Sequence, residues 1–496
     1  MTTTERWPTA AFRRRADNVM LRWQARLDSE WSDRVLPWLF AGGIFLILAL
    51  LALARARSLD GTVDLAVYVQ STWLMQHAYE PVDTITTGTN VLASQASFVM
   101  YPVSLVTLPG VQTGLLLLQA AALGLSVVPI WRIARRLANL RIGATITLAV
   151  VYALFPTMHT LNLAGFYPET LALPALLYAA YYGLGKHWRR YAVCCVFVVL
   201  CRADLGLAVA GLGALLWTEG RKVEGRVSLV AGVAYSAFAV LVIQPRLGGG
   251  NYDQINIFSA FGDTPPSVFA GMIVHPGDVL ATLLRRENFN LMVTLFAPVA
   301  FLPLLAPRYL LPVVPLQFLF LVSGVPQSVM YGRQTVPITA FIFVATAFAM
   351  ARIGRKGIEK VTVDHRVLAV MLLSASLFFV HDSASSPYQH PWGWGGQDQF
   401  DQALKQAAKD VGPSRSVRVT VSVLTLVAER PKVYLLDVSR VPEPAVAAKG
   451  VEAVVIDERA TPQWTEAQRD DLTRGLESIG FDRVEEGTGV EVYLRR

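Results

Sequence analysis

Long uncharged apolar runs, each closed by a cluster of Arg and Lys, recur down the chain, beginning with Val35 to Ala54 after an Arg-rich leader. A helix needs about 20 predominantly apolar residues to cross the hydrocarbon core, and only helices and closed barrels satisfy their backbone polar groups there. The pattern predicts an α-helical polytopic membrane protein. Any chemistry falls to the charged residues between or inside the runs.

Setting the first span from cytoplasm to outside fixes the rest through the positive-inside rule. Arg132, Arg135, Arg136 and Arg141 then belong to the cytoplasm, and Thr113 to Trp131 brings the chain back to them. Phe98 to Leu108, cut by Pro102 and followed by Pro109, is too short to span and predicts a helix lying at the outer surface. Residues 57–112 become a large first outer loop. Tyr191 to Trp217 reads as about two short crossings with Arg202 and Asp204 at their bend, and 245–288, with Gly248, Gly249 and Gly250, as a second outer loop. The count is about eleven spans within residues 35–381. Residues 1–34 read as a cytoplasmic basic tail leading into an uncleaved signal anchor, and the C-terminus falls outside.

After His381 the pattern changes. Residues 382–397, rich in Ser, Pro, Gly and aromatics, read as a linker. Asp398 to Lys409 and Glu466 to Ile479 have helical spacing, whereas Val417 to Val423, Val433 to Leu436, Ala453 to Asp457 and Val490 to Leu494 read as strands. Alternating strands and helices predict a small α/β extracytoplasmic domain over residues 398–496.

Hydrophobic residues make up 53% of the 496 and charged ones 16%, a balance suited to lipid rather than water. The net charge of +7 does not point to nucleic acid, because the basic residues lie at the ends of apolar runs and form no single patch. Cys194, Cys195 and Cys201 share one apolar run and read as packing groups, not a disulfide framework. The histidines lack metal-ligand spacing, and no phosphate-cradling glycine motif precedes a helix, so neither a zinc site nor nucleotide hydrolysis is indicated. Carboxylates on the outer side leave room for a divalent cation without pointing to one.

Asp60 and Asp64 stand in the first outer loop, and Asp64 opens the run Asp64-Leu65-Ala66-Val67-Tyr68-Val69-Gln70. An Asp there is either a helix N-cap or a partly desolvated carboxylate able to take a proton from an acceptor hydroxyl. Glu169 follows Pro168 at the outer start of a span, again a capping position or a site residue. Arg202 and Asp204 interrupt an uncharged stretch, where an ion costs at least about 2.5 kcal/mol near the bilayer centre unless paired or wet. They are a structural salt bridge or part of a polar cavity. Arg333 is a further cation near the outer face, either interfacial or a phosphate ligand.

From about Asp64 to the C-terminus the chain resembles the DUF2079 family of bacterial and archaeal membrane proteins, grouped with the GT-C membrane glycosyltransferases. The resemblance is carried by Asp64-Leu65 through Gln70, Gln119 through Arg136, Phe166-Tyr167-Pro168-Glu169, Arg202-Ala203-Asp204-Leu205-Gly206, Leu426 to Leu435 and the strand ending at Asp457. Asp64, Gln70, Pro168, Glu169, Asp204 and Gly206 match the family's motifs. Gly165 and Tyr167 replace an acid and a His, Arg202 and Ala203 replace Lys and Glu, and a His of the first outer loop falls at Gln95, which marks a divergent member. The resemblance implies a multi-span fold with its site on the outer face and a polyprenyl-phosphate-linked sugar as donor. It also implies a cell-envelope glycan, lipid or protein acceptor, and an acid of the first outer loop as general base. Asp64 takes that role, Arg202 and Arg333 meet the leaving phosphate, and Asp60, Gln70, Gln95, Glu169 and Asp204 line or shape the substrate site. The setting implied is the bacterial cytoplasmic membrane. Rival readings are a lipid or small-molecule flippase and a non-catalytic membrane scaffold.

Overall fold

A computed structural model describes the chain except for residues 1–27, 60, 109, 251–252, 325–331, 358–359, 389–394 and 486–488. The basic leader and Asp60 thus lie outside the described residues. In chain order the membrane part contains α1 (Glu30–Arg57), α2 (Val63–Gln76), α3 (Val91–Gln95), α4 (Met100–Val106), α5 (Val111–Leu137), α6 (Ile142–Ala164) and α7 (Pro168–Leu184). It continues with α8 (Trp188–Cys201), α9 (Leu205–Thr218), α10 (Lys222–Leu247), α11 (Val314–Val322), α12 (Arg333–Ile353) and α13 (His365–Asp382). Three short helices, Pro265–Val274, Pro276–Leu283 and Arg286–Phe296, separate α10 from α11.

Among the described residues six helices, α1, α5, α6, α10, α12 and α13, are long and apolar enough to cross a membrane. The remaining apolar runs fold into shorter pieces, 17 residues in α7 and 14 each in α8 and α9, so the count of about eleven crossings stays an expectation. Leu39, Leu46, Ile47 and Leu50 of α1, and Val370, Leu373 and Leu377 of α13, stand exposed, which water would penalise and lipid does not. The interior is closed by aromatics: Phe343 meets Tyr152 and Phe155 edge-on at 5.1 and 5.2 Å. The cysteines are free, with Cys201 buried.

Residues 57–112 fold over one end of the bundle as α2, α3 and α4. Thr62 caps α2, accepting from Leu65 N at 3.3 Å, so the N-cap expected at Asp64 falls two residues earlier and leaves the Asp64 carboxylate free for another partner. α4 exposes Tyr101, Leu105 and Val106 on one side, in keeping with a surface-lying helix.

A short hairpin, β1 (Arg355–Lys356) and β2 (Val361–Thr362), links α12 to α13. The C-terminal part is α14 (Gln399–Val411), β3 (Val417–Val419), α15 (Val421–Leu424), β4 (Val433–Leu435), β5 (Ala453–Asp457), α16 (Glu466–Ser478), β6 (Phe481–Glu485) and β7 (Val490–Arg495). The sheet order is β4-β3-β5-β7-β6, parallel across β4, β3 and β5 and antiparallel across β5, β7 and β6. Capping boxes at Asp398/Asp401 and Thr465/Gln468 open α14 and α16. This part docks on the segment between α2 and α3: Thr84 Oγ1 donates to Val433 O at 2.7 Å and accepts from Val433 N at 3.0 Å.

Candidate functional site

Three features of the sequence assemble one polar cluster inside the apolar bundle. First, Pro168 starts α7 at a position where a missing N–H costs nothing, and Gln119 of α5 fixes the turn before it. Its Nε2 donates to Leu161 O and Gly165 O, and its Oε1 accepts from Tyr167 N and Thr170 Oγ1. Gly165 has φ +133°, and a Cβ there would meet Thr62 Oγ1 at 2.9 Å and Leu65 Cβ at 3.2 Å. Glycine is what allows α2 to press against this turn. Second, α8 and α9 break at Arg202-Ala203-Asp204, and Asp204 stands at the N-cap of α9 without making a side-chain cap bond. Third, α12 opens on Arg333.

These elements bring Arg202 between two carboxylates, Nη1 to Glu169 Oε1 at 2.8 Å and Nε to Asp204 Oδ1 at 2.5 Å. Glu169 is fully buried and Arg202 only 6% exposed. Glu169 is therefore a partner of Arg202, not a helix cap. The remaining atoms, Arg202 Nη2 and Glu169 Oε2, are buried without a hydrogen-bond partner among the described residues. The arginine plane also lies over Phe320, 5.5 Å from its centroid.

A few ångströms along, Tyr167 Oη donates to Asp64 Oδ2 at 3.1 Å, Arg333 covers the Tyr167 ring at 5.8 Å, and Tyr68 Oη donates to Gln95 Oε1 at 3.0 Å. Burial raises the Tyr68 phenol well above its ordinary value, with the charge of Glu169 adding to it and Arg333 opposing. Tyr167 is raised by burial and then by Asp64, again opposed by Arg333. Both phenols stay protonated near neutrality and act as donors.

Arg202, Asp204, Gln95 and Arg333 line a cavity of about 160 Å³ whose apolar wall includes Phe320. Of the residues expected at the site, these four share one chamber, Glu169 stands behind Arg202, and Asp64 is joined to Arg333 through Tyr167. Gln70 does not line the cavity. It is fully buried at the docking seam, where its Nε2 donates to Thr84 Oγ1 at 2.7 Å and reaches Arg430 O and Pro431 O at 3.4 Å. Sequence reading passed over Tyr68 and Tyr167 as site residues. The signal for Tyr68 was present in its spacing, since positions four apart share a helix face and Asp64 is four residues before it. Gln244 and Gln334, which also line the chamber, gave no signal at all. Among the described residues no group of three or more His, Cys, Asp or Glu is placed to hold a metal ion.

The model of a family of predicted membrane proteins, DUF2079, matches residues 55–492. No curated protein matches by sequence. Among solved structures, ArnT from Cupriavidus metallidurans bound to undecaprenyl phosphate superposes with a TM-score of 0.50 at 11% identity, covering 92% of this chain and 98% of that one. The same protein in its apo state gives 0.48 at 11% identity over 90% and 96%.

Proposed function

Because the chain belongs to the DUF2079 family of predicted membrane proteins and has the fold of ArnT, a GT-C glycosyltransferase, we propose that it is a membrane glycosyltransferase. In this reading it moves a sugar from a polyprenyl-phosphate donor to a cell-envelope glycan, lipid or protein acceptor at the outer face of a bacterial cytoplasmic membrane. The carrying observation is Arg202: a buried guanidinium on the wall of a chamber, with one nitrogen unpartnered and a second arginine beside it. Two carboxylates hold it in place, and a phosphate completes its hydrogen bonds in the paired, planar way that guanidinium favours. ArnT binds undecaprenyl phosphate, which supports a lipid phosphate as the group that enters.

The chemistry divides among the clustered residues. Asp64 takes the proton of the acceptor hydroxyl as its oxygen bonds to the anomeric carbon. The bond from that carbon to the phosphate oxygen breaks, and its electron pair leaves with polyprenyl phosphate. Arg202 and Arg333 stabilise the charge gathering on that phosphate, the role preorganised cations play in a water-poor site. Tyr167 holds Asp64 through its 3.1 Å hydrogen bond. Glu169 and Asp204 position Arg202, and Gln95 shapes the chamber.

The test is transfer from a radiolabelled polyprenyl-phosphate sugar by the full chain in membranes. Asp64→Asn keeps shape and hydrogen bonding but cannot accept a proton, so transfer should fall about 10² to 10⁴-fold with donor binding retained. Since Thr62 already caps α2, lost capping cannot explain a fall of that size. Full activity in Asp64→Asn removes it as the base.

A further inference from the structure

A second cavity, outside the polar chamber, lies among α4, α5, α7 and α8, and we infer that it binds an anionic glycerophospholipid of the membrane, acyl chain in the groove and phosphate on Arg132. The inference uses none of the residues of the glycosyl-transfer reading and stands apart from it. The groove measures about 490 Å³, inside the range of about 300–1,000 Å³ in which proteins hold small ligands. Its walls include Val106 of α4, Leu118 and Leu125 of α5, Ala175 and Tyr178 of α7 and Phe197 of α8. Val106, Leu125 and Phe197 are exposed, which water would penalise and a hydrocarbon chain would cover. Toward the chamber the walls are tied together, because Val99 N donates to Leu200 O at 2.9 Å.

The opposite end of the groove sets it apart from ordinary lipid-facing surface. Tyr178, a wall residue, carries the Arg132 guanidinium over its ring, 5.5 Å from the centroid. Tyr182 stacks on Tyr178 at 5.6 Å and carries Arg190 at 5.6 Å, and Arg136 Nη1 donates to Tyr181 Oη at 3.2 Å. Three tyrosines of α7 thus gather three arginines, from α5 and α8, at one end of an apolar groove. A ring occupies only the face of a guanidinium, so the N–H edge remains for a phosphate. From Leu118 to Arg132, α5 rises about 21 Å, enough to accommodate the roughly 15 Å of one leaflet's hydrocarbon.

The carboxylates nearest this end are already committed. Asp28 and Asp33 both pair with Arg135, at 2.5 and 2.6 Å, whereas Arg132, Arg136 and Arg190 make no ion pair with any described residue. Apolar walls with an unpaired cationic rim match a lipid whose head is an anion. The rim lies with the basic cluster after α5, the end that the positive-inside rule predicts to be cytoplasmic, so the lipid comes from the leaflet opposite the donor's.

The experiment is native mass spectrometry of the detergent-solubilised full chain, titrated with phosphatidylglycerol, with phosphatidylcholine of the same acyl chains, and with undecaprenyl phosphate. A cation at a lipid head is worth about fivefold in affinity, so phosphatidylglycerol should bind at least about fivefold tighter than phosphatidylcholine, and Arg132→Gln should lose about fivefold for phosphatidylglycerol alone. Arg226→Gln is the control, because Arg226 also lies over a ring, 5.9 Å from Trp217, but is remote from the groove walls, and it should bind as wild type does. Ala175→Phe, which puts a ring into the groove from a half-buried position, should weaken both phospholipids. If Arg132→Gln or Ala175→Phe does not fold, Arg190→Gln and Ala121→Phe are read in their place. No preference for phosphatidylglycerol, an equal loss in Arg226→Gln, or full binding of both phospholipids by the groove-filling variant overturns the inference. Undecaprenyl phosphate should bind wild type and Arg132→Gln alike; a loss parallel to that of phosphatidylglycerol would make a polyprenyl phosphate the occupant and overturn the assignment.

Discussion

Arg202 and Glu169 form an ion pair in a place where an unpaired charge is very costly, and the two acids around the arginine differ in how deep they lie. Glu169 is fully buried, whereas the Asp204 side chain is 30% exposed. Breaking a buried pair by removing one partner costs roughly 3–5 kcal/mol, because the other charge is stranded, while an exposed partner is replaced in part by solvent. Glu169→Gln should therefore lower the thermal midpoint of the detergent-solubilised protein more than Asp204→Asn does. Equal effects, or the reverse order, would show that the Glu169–Arg202 pair does not hold this part of the fold together. The sequence made these residues legible for the same reason: charge inside an apolar stretch is rare because it is expensive. It did not reveal that Arg202 reaches across 33 positions to Glu169, nor that Gln70 belongs to a seam closed 360 residues later. Neutral amides such as Gln244 carry no such penalty and are silent in a linear reading.

At the scale of elements, α9 and α10 meet along glycines. A Cβ on Gly213 would lie 2.5 Å from Gly225 O and one on Gly225 2.7 Å from Gly213 O, and Gly206 and Gly232 oppose each other in the same way. Close approach of backbones through small residues is a common means of joining helices in lipid, where apolar contact alone discriminates little. Gly232→Val puts branched carbon against the backbone of Gly206 and Ala210, so it should destabilise by at least about 1–3 kcal/mol. It should also weaken donor binding, since α9 begins beside Asp204 and the last turn of α10 carries Gln244, which lines the chamber. Thermal unfolding and undecaprenyl phosphate binding measured together check this, and a stable variant with intact binding would mean that the helices part without disturbing the chamber. A second junction is Thr84. Thr84→Val strands the N–H and C=O of Val433, and should open the C-terminal part to protease and speed amide exchange in α2. Local propensity was overridden in this region. Val417 to Val423 reads as one strand, but the ladder stops at Val419 and Val421–Leu424 turns into α15, which packs on α2. The strand β6 was not foreseen because Phe481 to Glu485 lacks the apolar alternation of a half-buried strand and pairs only with β7, at the sheet edge.

For the whole molecule, the docking seam has a topological consequence. Gln70 of α2 and the backbone of Arg430 and Pro431 are in contact, so the segment carrying Asp64 and the C-terminal part lie on one side of the membrane, whichever side that is. The helical architecture and the alternating strands and helices after Asp398 were readable from hydropathy and composition, because those signals add up over many residues. The side of the membrane is not a contact, and rests on the distribution of cations. Arg132, Arg135, Arg136 and Arg141 gather at one end of α5 and α6, and Arg352, Arg355, Lys356 and Lys360 follow the end of α12. Lys360 Nζ donates to Arg135 O at 3.1 Å, which brings the two basic clusters to the same end of the bundle. The positive-inside rule predicts that this end faces the cytoplasm. The prediction then places Asp64, Glu169 and the residues after Asp382 on the extracytoplasmic side. Alkaline phosphatase fused after Arg496 should be active in cells, and a fluorescent protein exported unfolded at the same point should be dark. Because the seam ties the C-terminal part to the first loop, a cysteine placed at exposed Tyr79 should be labelled by an impermeant maleimide from the same side. A bright fluorescent fusion with an unlabelled Tyr79→Cys would invert the molecule and put the chamber's mouth on the cytoplasmic face. Labelling from the side opposite to the fusion would instead break the seam itself.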